Sequence, residues 1–276
     1  MVIPPAMHSP PENLLPGVLE VARAAGRAIL PIYARTDHGV ETKADQSPLT
    51  AADQAANDVI AAGLAALAPD IPLWSEESAN LDWDTRRHWS RFWLVDPLDG
   101  TKEFIKRNGE FTVNIALVQG HVPVLGVVHA PVLERDYYGL AGTGGSAFRA
   151  DAGGPGRPIR VRIPALPPLR VAGSRSHRGS SLDGIIARLG EHTLVTMGSS
   201  LKFCLVAEGE ADFYPRLGPT SEWDTAAAQV VVEAAGGAVV DLQGQPLRYN
   251  TRPDILNPHF IARGDPGRDW LALVRA

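Results

Sequence analysis

The chain has 276 residues, of which 45% are hydrophobic and 21% are charged, and its formal net charge is −5. This length and composition fit one large globular domain or two joined lobes. The negative net charge argues against non-specific nucleic-acid binding, which needs a basic surface. A single cysteine, Cys204, excludes an intrachain disulfide and indicates a reducing compartment, so we expect a cytoplasmic protein. No segment supplies the roughly 18 uncharged apolar residues of a membrane-spanning helix.

The first half of the chain predicts two helices followed by a run of strands. Residues 1–13 are broken by prolines and lack the basic start of a signal peptide, so we expect a disordered leader. Apolar residues at helical spacing then predict helices over 14–33 and 50–68. Strands are predicted at 71–74, 92–95, 111–118, 123–130, 136–140 and 146–149.

A Gly/Pro-rich passage at 151–158 predicts a boundary between an N-terminal lobe, 14–150, and a C-terminal lobe, 151–276. Beyond it, strands and helices alternate, and Asp265 and Pro266 open the last predicted helix. The class is therefore mixed α/β, with a meander-rich first lobe and an α/β second lobe. The strands of the second lobe are predicted at 169–172, 193–197, 211–214 and 237–241, and its other helices at 180–189, 199–207 and 225–235.

The most informative stretch is the run DPLDGT at 96–101, which directly follows four apolar residues. Pro97 has no N–H and restricts the residue before it, so we expect the strand to end at Asp96, and Gly100 permits a sharp turn. Asp96 and Asp99 should then converge at the edge of the sheet. Two neighbouring carboxylates repel each other unless a proton or a cation lies between them, and hard oxygen ligands suit Mg²⁺.

Other carboxylates also lie at the ends of predicted elements, at Asp53, Glu76, Glu77 and Asp224. Each has another interpretation: Asp53 completes a capping box in the stretch TAAD, Asp224 fits the cap of the helix that follows it, and the glutamate pair fits a solvated loop. Together with the DPLDGT run, however, they favour a site for several metal ions. Asp224 also precedes a helix N-terminus, where free N–H groups attract a phosphate.

Basic and hydroxyl side chains at element ends form a second group. They are what a second phosphate of the substrate requires, although each alone also fits an ordinary surface position. We interpret the nearby Trp74, Trp93 and Trp223 as core residues rather than stacking platforms, and Cys204 as a core thiol. The members of the second group are Ser174, Arg175, His177, Ser199, Lys202 and Arg216.

Taken together, these motifs resemble those of the lithium-sensitive, Mg²⁺-dependent phosphatases of the inositol monophosphatase and fructose-1,6-bisphosphatase superfamily. Within it, the chain is similar to bacterial 3′(2′),5′-bisphosphate nucleotidases over nearly its whole length, from about Leu14 to Arg263. It departs from them at Ala228, where the family usually has glycine, and in the leader. The resemblance rests on Asp53, on EE at 76–77, on DPLDGT within 94–116, on WDTAA at 223–227, and on 174–177, 198–209 and 214–216.

The resemblance implies a five-layer α-β-α-β-α sandwich and hydrolysis of the 3′-phosphate of adenosine 3′,5′-bisphosphate to AMP and phosphate. It implies two or three Mg²⁺ ions, held by Glu76, Asp96, the carbonyl of Leu98, Asp99 and Asp224, with Glu77 and Asp53 near a third, weaker metal. It implies catalytic roles for Glu76, Thr101 and Asp53, with Thr101 orienting the attacking water. Substrate contacts are implied for Leu98, Asp99, Gly100, Thr101, Ser174, Arg175, His177, Ser199, Lys202, Arg216 and Asp224.

Several alternatives stay open at this point. The substrate could instead be inositol monophosphate or a sugar phosphate, and 3′-phosphoadenylyl sulfate is a further candidate nucleotide. A non-catalytic phosphate sensor is the alternative from another class of protein. We expect a monomer or a homodimer without nucleic-acid partners, located in the cytoplasm with or without peripheral contact with the inner face of the inner membrane.

Overall fold

A computed structural model describes residues 9–35, 41–42, 48–49, 51–78, 81–142, 146–174 and 180–275. Its helices are α1 (Pro11–Tyr33), α2 (Ala51–Leu67), α3 (Trp83–Arg86), α4 (Thr101–Ile105), α5 (Ser180–Arg188), α6 (Leu201–Ala207), α7 (Ala226–Ala234) and α8 (Ala272–Arg275), with a 3₁₀ helix at Glu76–Ser78. Its strands are β1 (Glu41–Thr42), β2 (Pro48–Leu49), β3 (Leu73–Ser75), β4 (Arg91–Asp99), β5 (Thr112–Gln119), β6 (Val122–Ala130), β7 (Arg135–Leu140), β8 (Ser146–Asp151), β9 (Arg157–Ile159), β10 (Leu169–Gly173), β11 (His192–Thr196), β12 (Phe213–Arg216), β13 (Ala238–Asp241) and β14 (Phe260–Arg263).

Two larger sheets and three layers of helices stack on one another. The first sheet has the order β3-β4-β5-β6-β7-β8-β9, and the second has the order β11-β10-β12-β14-β13. Helices α1 and α2 cover one face of the first sheet, α6 and α7 lie between the sheets, and α5 and α8 cover the far face of the second. The mixed α/β class and the five-layer α-β-α-β-α sandwich are confirmed.

Helix α1 buries a regular apolar face against the first sheet. Leu14, Val18, Ala22, Ala25 and Ile29 are each at most 3% exposed, and their spacing of three or four residues places them on one side of the helix. The helix begins at Pro11, because proline fits the first turn, where its missing N–H has no partner to lose. The predicted leader over residues 1–13 is therefore too long at its end. Residues 1–8 lie outside the described residues.

Helix α7 is buried on all sides, from Ala226 to Val232, because both sheets pack against it. Its small residues allow a close approach to β6, where the Gly126 Cα faces the helix backbone. A Cβ added at Gly126 would lie only 2.2 Å from the carbonyl oxygen of Ala227. Ala228, at the position where the family usually has glycine, is 1% exposed within this helix.

We expect Gly126→Ala to lower the free energy of unfolding by about 2–3 kcal/mol, since the new methyl group must push α7 off β6. Gly184→Ala in α5 is the matched control, because its Cβ would meet nothing closer than 3.8 Å. That variant should gain about 0.5–1 kcal/mol from helix propensity. Urea unfolding followed by circular dichroism measures both, and equal stability of the two variants would contradict the close contact between α7 and β6.

The last helix begins later than predicted. It was expected at Asp265, but α8 begins at Ala272. The Asp265 carboxylate accepts hydrogen bonds from the N–H groups of Ala165 (2.9 Å) and Gly267 (2.8 Å), which makes a turn instead.

The lobe boundary after residue 150 stays a prediction, and the first sheet continues to Ile159. Among the described helices, none combines the length and apolar character needed to cross a membrane.

Candidate active site

A β-bulge in β4 places Asp96 and Asp99 on the same face of the sheet. In a regular strand, residues three apart point to opposite faces. Here Asp96 pairs with Asn114 and Asp99 pairs with Thr112, so three steps on β4 match two steps on β5. The extra residue turns Asp99 to the side of Asp96. The expected end of the strand at Asp96 is therefore wrong: the strand absorbs Pro97 in the bulge and continues to Asp99.

Asp224 joins these two carboxylates from the loop that leads into α7. Oxygen atoms of Asp96, Asp99 and Asp224 all lie within 4.8 Å of one another, and we call these three residues the acidic triad. The alternative interpretation, in which Asp224 caps α7, is wrong, because the N-cap residue is Thr225. The Asp224 Oδ2 instead accepts a hydrogen bond from the Ser221 N–H (2.9 Å), which orients the carboxylate toward the first sheet's bulge.

Burial and mutual repulsion disfavour the charged forms of Asp96 and Asp224 within the acidic triad. Burial, followed by the charges of Glu76, Asp99 and Asp224, raises the pKa of Asp96 well above its usual value. Burial and the charges of Asp99 and Glu76 do the same to the pKa of Asp224. A divalent cation would relieve this repulsion, and a set of carboxylate oxygens is the donor set that Mg²⁺ prefers. The residues therefore fit the metal that the sequence implies.

Glu76 lies beside the acidic triad. Strand β3 runs parallel to β4, with Ser75 opposite Val95, so the 3₁₀ helix that follows β3 begins beside Asp96. Glu76 lines the same cavity of about 450 Å³ as the triad, which we call the acidic cavity. Within the described part of the chain, Glu77 is not among the residues that line it.

Thr101 connects the acidic cavity to a buried carboxylate. Its Oγ1 lies 3.5 Å from Asp53 Oδ1 and 3.5 Å from the carbonyl oxygen of Leu98. Asp53 is only 2% exposed, and its alternative role in a capping box stays a prediction, because Thr50 lies outside the described residues. Leu98 and Thr101 line the acidic cavity, and Asp53 lies behind them. This arrangement places a hydroxyl between a buried acid and the triad.

A second cavity of about 130 Å³ adjoins the first, and we call it the basic cavity. Lys202 lies in its wall, with its Nζ donating to the carbonyls of Ser199 (2.5 Å) and Met197 (3.3 Å). Burial lowers the pKa of Lys202 to about 8, although the charge of Asp99 opposes this shift. Arg216 lines the same cavity, and its Nε donates to Thr220 Oγ1 (2.6 Å). Lys202 and Arg216 therefore give this cavity two cationic side chains that suit an anionic group, beside the carboxylates of Asp99, Glu103 and Asp224 that it shares with the acidic cavity.

The two cavities meet where the first sheet contacts the turn before α6. Asp99 Oδ2 accepts hydrogen bonds from Ser199 Oγ (2.6 Å) and from the Ser200 N–H (2.6 Å). Ser199 has a φ of 52°, and Gly100, with a φ of 95°, lies close to it: a Cβ on Gly100 would be 3.3 Å from the Ser199 Cβ. The turn before α6 thus fixes Asp99 while it contributes to the basic cavity.

Of the remaining predicted substrate contacts, only some lie within the described residues. Ser174 lines the basic cavity with Ser199, Lys202 and Arg216. Arg175 and His177 lie outside the described residues. The substrate and metal roles assigned to individual residues stay predictions, although the structure brings most of these residues to the two cavities.

Sequence reasoning missed Glu103 and Thr220, which line both cavities. The position of Glu103 in the first turn of α4, directly after the DPLDGT run, was an available signal. Thr220 carries no comparable signal, because an irregular loop brings it to the cavities.

The predicted core residues are confirmed. Trp74 and Trp93 are fully buried, Trp223 is 5% exposed, and Trp74 and Trp223 meet edge to face with ring centroids 5.9 Å apart. Cys204 is buried in α6, and burial raises the pKa of its thiol well above the usual value. A thiol of this kind is a poor nucleophile at neutral pH.

Comparison with known proteins identifies close relatives. The chain is 54% identical over 248 residues to the 3′(2′),5′-bisphosphate nucleotidase CysQ of Shigella flexneri, which covers 90% of this chain and 98% of that protein. It is 53% identical over the same length to CysQ of Escherichia coli K12, with the same two coverages. The crystal structure of CysQ from Bacteroides thetaiotaomicron superposes with a TM-score of 0.81 at 42% identity, covering 94% of this chain and 98% of that one.

A family model covers nearly the whole chain and agrees with these relatives. It matches residues 11–268, from the start of α1 to the segment before α8, and so includes both sheets, the acidic triad and the basic cavity. A Thermotoga maritima IMPase superposes with a TM-score of 0.77 at 26% identity, covering 95% of this chain and 96% of that one. The chain belongs to the inositol monophosphatase family.

Proposed function

We propose that this chain is a Mg²⁺-dependent, lithium-sensitive 3′(2′),5′-bisphosphate nucleotidase that hydrolyses the 3′-phosphate of adenosine 3′,5′-bisphosphate to AMP and phosphate. One observation carries this proposal: the basic cavity with Lys202 and Arg216 adjoins the acidic cavity. A substrate with two phosphates on one ribose can occupy both. The identity of 53–54% to CysQ nucleotidases supports the same substrate class.

The metal would be held by the acidic triad together with Glu76 and the carbonyl of Leu98. We propose two such ions, with a third and weaker one near Asp53 and Glu77. Bound there, Mg²⁺ supplies a water of lowered pKa and neutralises charge on the phosphate and on the leaving oxygen. These residues present oxygen donors only, as the metal requires.

The chain's own residues position the water and move its proton. We propose that the Thr101 hydroxyl, which lies between Asp53 and the triad, accepts or donates a hydrogen bond that holds the water in line with the 3′-phosphorus. Glu76 takes the proton from this water as its oxygen bonds to phosphorus. The bond from phosphorus to O3′ breaks, and O3′ leaves as a hydroxyl after it takes a proton from solvent.

Lys202 and Arg216 bind the 5′-phosphate in this scheme. A buried ammonium and a guanidinium form charge-assisted hydrogen bonds to phosphate oxygens, and these bonds supply specificity for a bisphosphate. Inositol 1-phosphate has a single phosphate and would leave both cations without an anionic partner. The sulfated nucleotide 3′-phosphoadenylyl sulfate keeps both anionic positions and is a second proposed substrate.

Phosphate release from a panel of substrates tests the proposal. We expect kcat/KM for adenosine 3′,5′-bisphosphate to exceed that for inositol 1-phosphate by roughly 10- to 100-fold, the factor that one charge-assisted hydrogen bond provides. Fructose 1,6-bisphosphate and 5′-AMP are the other comparison substrates. Chelation should abolish turnover, Mg²⁺ should restore it, and Li⁺ should inhibit it. Equal or greater turnover of inositol 1-phosphate would overturn the nucleotide assignment and leave the metal site intact.

We also propose that the protein acts in the cytoplasm as a monomer or homodimer, without nucleic-acid partners. The negative net charge of −5 and the single cysteine support this environment. Peripheral contact with the inner face of the inner membrane is part of the same proposal, and a flotation assay with anionic vesicles tests it.

A further inference from the structure

We propose that Glu103 is a specificity-determining residue, whose carboxylate accepts a hydrogen bond from the 2′-hydroxyl of the substrate's ribose. This inference deepens the proposed function and rests on it. It predicts that the protein discriminates between ribonucleoside and 2′-deoxyribonucleoside bisphosphates. Glu103 lies between the two cavities.

Glu103 lies at the junction of the acidic and basic cavities. Five of the described residues line both, and these are Asp99, Gly100, Glu103, Thr220 and Asp224. Asp99 and Asp224 belong to the acidic triad, and Gly100 has no side chain. The Thr220 hydroxyl is already engaged, since it accepts from Arg216 Nε (2.6 Å) and donates to the Gly218 carbonyl (3.1 Å). Glu103 is the junction side chain that is left to contact a ligand.

The Glu103 side chain is held in place by packing against the turn before α6. A Cβ added at Gly198 would lie 2.7 Å from Glu103 Cγ, so the side chain rests closely on the Gly198 backbone. Among the described residues, none donates a hydrogen bond to the Glu103 carboxylate or forms an ion pair with it, although the charge of Glu103 acts on Lys202. A half-buried carboxylate without a donor is a ready acceptor for a ligand hydroxyl.

The substrate offers one donor at this position. If the 3′-phosphate lies in the acidic cavity and the 5′-phosphate in the basic cavity, the ribose must cross the junction that joins them. A phosphate would repel the Glu103 carboxylate, so the group that contacts this carboxylate should be a neutral hydrogen-bond donor. The ribose of a 3′,5′-bisphosphate carries a single free hydroxyl, the 2′-OH, next to the phosphate that is cleaved.

The test compares adenosine 3′,5′-bisphosphate with its 2′-deoxy analogue on the wild type, Glu103→Ala and Glu103→Gln. We expect the wild type to prefer the ribonucleotide by roughly 10- to 100-fold in kcat/KM, the effect of one hydrogen bond to a charged acceptor. Glu103→Ala should reduce this ratio to about threefold or less, and the isosteric Glu103→Gln should lie between them. Glu134→Gln, which neutralises an exposed glutamate after β6, is the matched control and should keep the wild-type ratio.

The ratio isolates the contact with the 2′-OH. Removing Glu103 also changes the field at Lys202, but that change acts on both substrates and cancels in the ratio. A wild type that hydrolyses both substrates equally would overturn this inference alone, and so would a Glu103→Ala variant that keeps the preference. If Glu103→Ala instead changes the ratio of kcat/KM for adenosine and inosine 3′,5′-bisphosphate, Glu103 contacts the base, and the proposed ribose contact is overturned. A wild type that hydrolyses neither nucleotide would overturn the proposed function itself.

Discussion

Asp96→Asn is expected to reduce kcat/KM for adenosine 3′,5′-bisphosphate by about 1,000-fold or more. Asp96 belongs to the acidic triad, and its substitution would remove a proposed metal ligand whose charge stabilisation is worth several kcal/mol in the transition state. Phosphate release in saturating Mg²⁺ measures the effect. Asp84→Asn, at an exposed position in α3, is the matched control and should keep wild-type activity.

The same substitution should stabilise the metal-free protein. Burial and neighbouring carboxylates raise the pKa of Asp96 in the folded state above its unfolded value, so the ionised form opposes folding at neutral pH. Stability contributed by this group is therefore gained as pH falls from neutral and lost as pH rises. Asn removes the charge, and we expect the Tm without metal to rise by roughly 2–4 °C, the shift that about 1 kcal/mol produces in a chain of this size.

Two outcomes would contradict this account of the triad. One is near-wild-type turnover of Asp96→Asn in Mg²⁺, which would show that the carboxylate is not a metal ligand. The other is a lower Tm in the metal-free variant, which would show that Asp96 is structurally satisfied without a cation. Addition of Mg²⁺ should raise the Tm of the wild type and have little effect on the variant.

Lys202→Met is expected to raise KM for adenosine 3′,5′-bisphosphate by roughly 10- to 100-fold with a smaller change in kcat, because it removes the charged donor that we propose for the 5′-phosphate. Burial lowers the pKa of Lys202 to about 8, so the wild type should lose kcat/KM as pH rises through about 8 and the ammonium loses its proton. That limb of the pH profile should be absent in the variant.

The control for Lys202 is Lys106→Met, at an exposed position just after α4. It should leave both KM and the pH profile unchanged. A Lys202→Met variant that loses kcat and keeps KM would place Lys202 in the chemical step. A variant that retains the alkaline limb would assign that limb to another group.

Much of the fold follows from local patterns. The apolar face of α1 has the spacing of three or four residues that is typical of a helix, and the short, aromatic-rich apolar run of β4, followed by Pro97, fits a buried strand. The boundaries were less predictable. Asp265 resembles a helix start, but its carboxylate accepts hydrogen bonds from the N–H of Gly267 and from that of the distant Ala165, which makes a turn instead. Strand β14 carries no strong sequence signal and forms because β12 and β13 both pair with it.

The candidate site was predictable where residues carry their own chemistry. Asp96, Asp99 and Asp224 were singled out as carboxylates at element ends, and the structure brings them within 4.8 Å. What could not be predicted is how Asp99 reaches the face of Asp96, because a bulge depends on pairing with β5 and not on local composition. Glu103 was missed for a related reason, since its role is defined by two cavities that meet only in three dimensions.

The burial of α7 on every side has a consequence for how the protein gains its activity. Residues 226–232 of the helix, including the polar Gln229, are all buried, so neither sheet alone can shield it from water, and it gains its stability only when both are assembled around it. Asp224 lies at its start, whereas Asp96 and Asp99 belong to a sheet on one side of it. A half-folded chain therefore cannot gather the three carboxylates, and cation affinity should emerge in a single cooperative event with global folding.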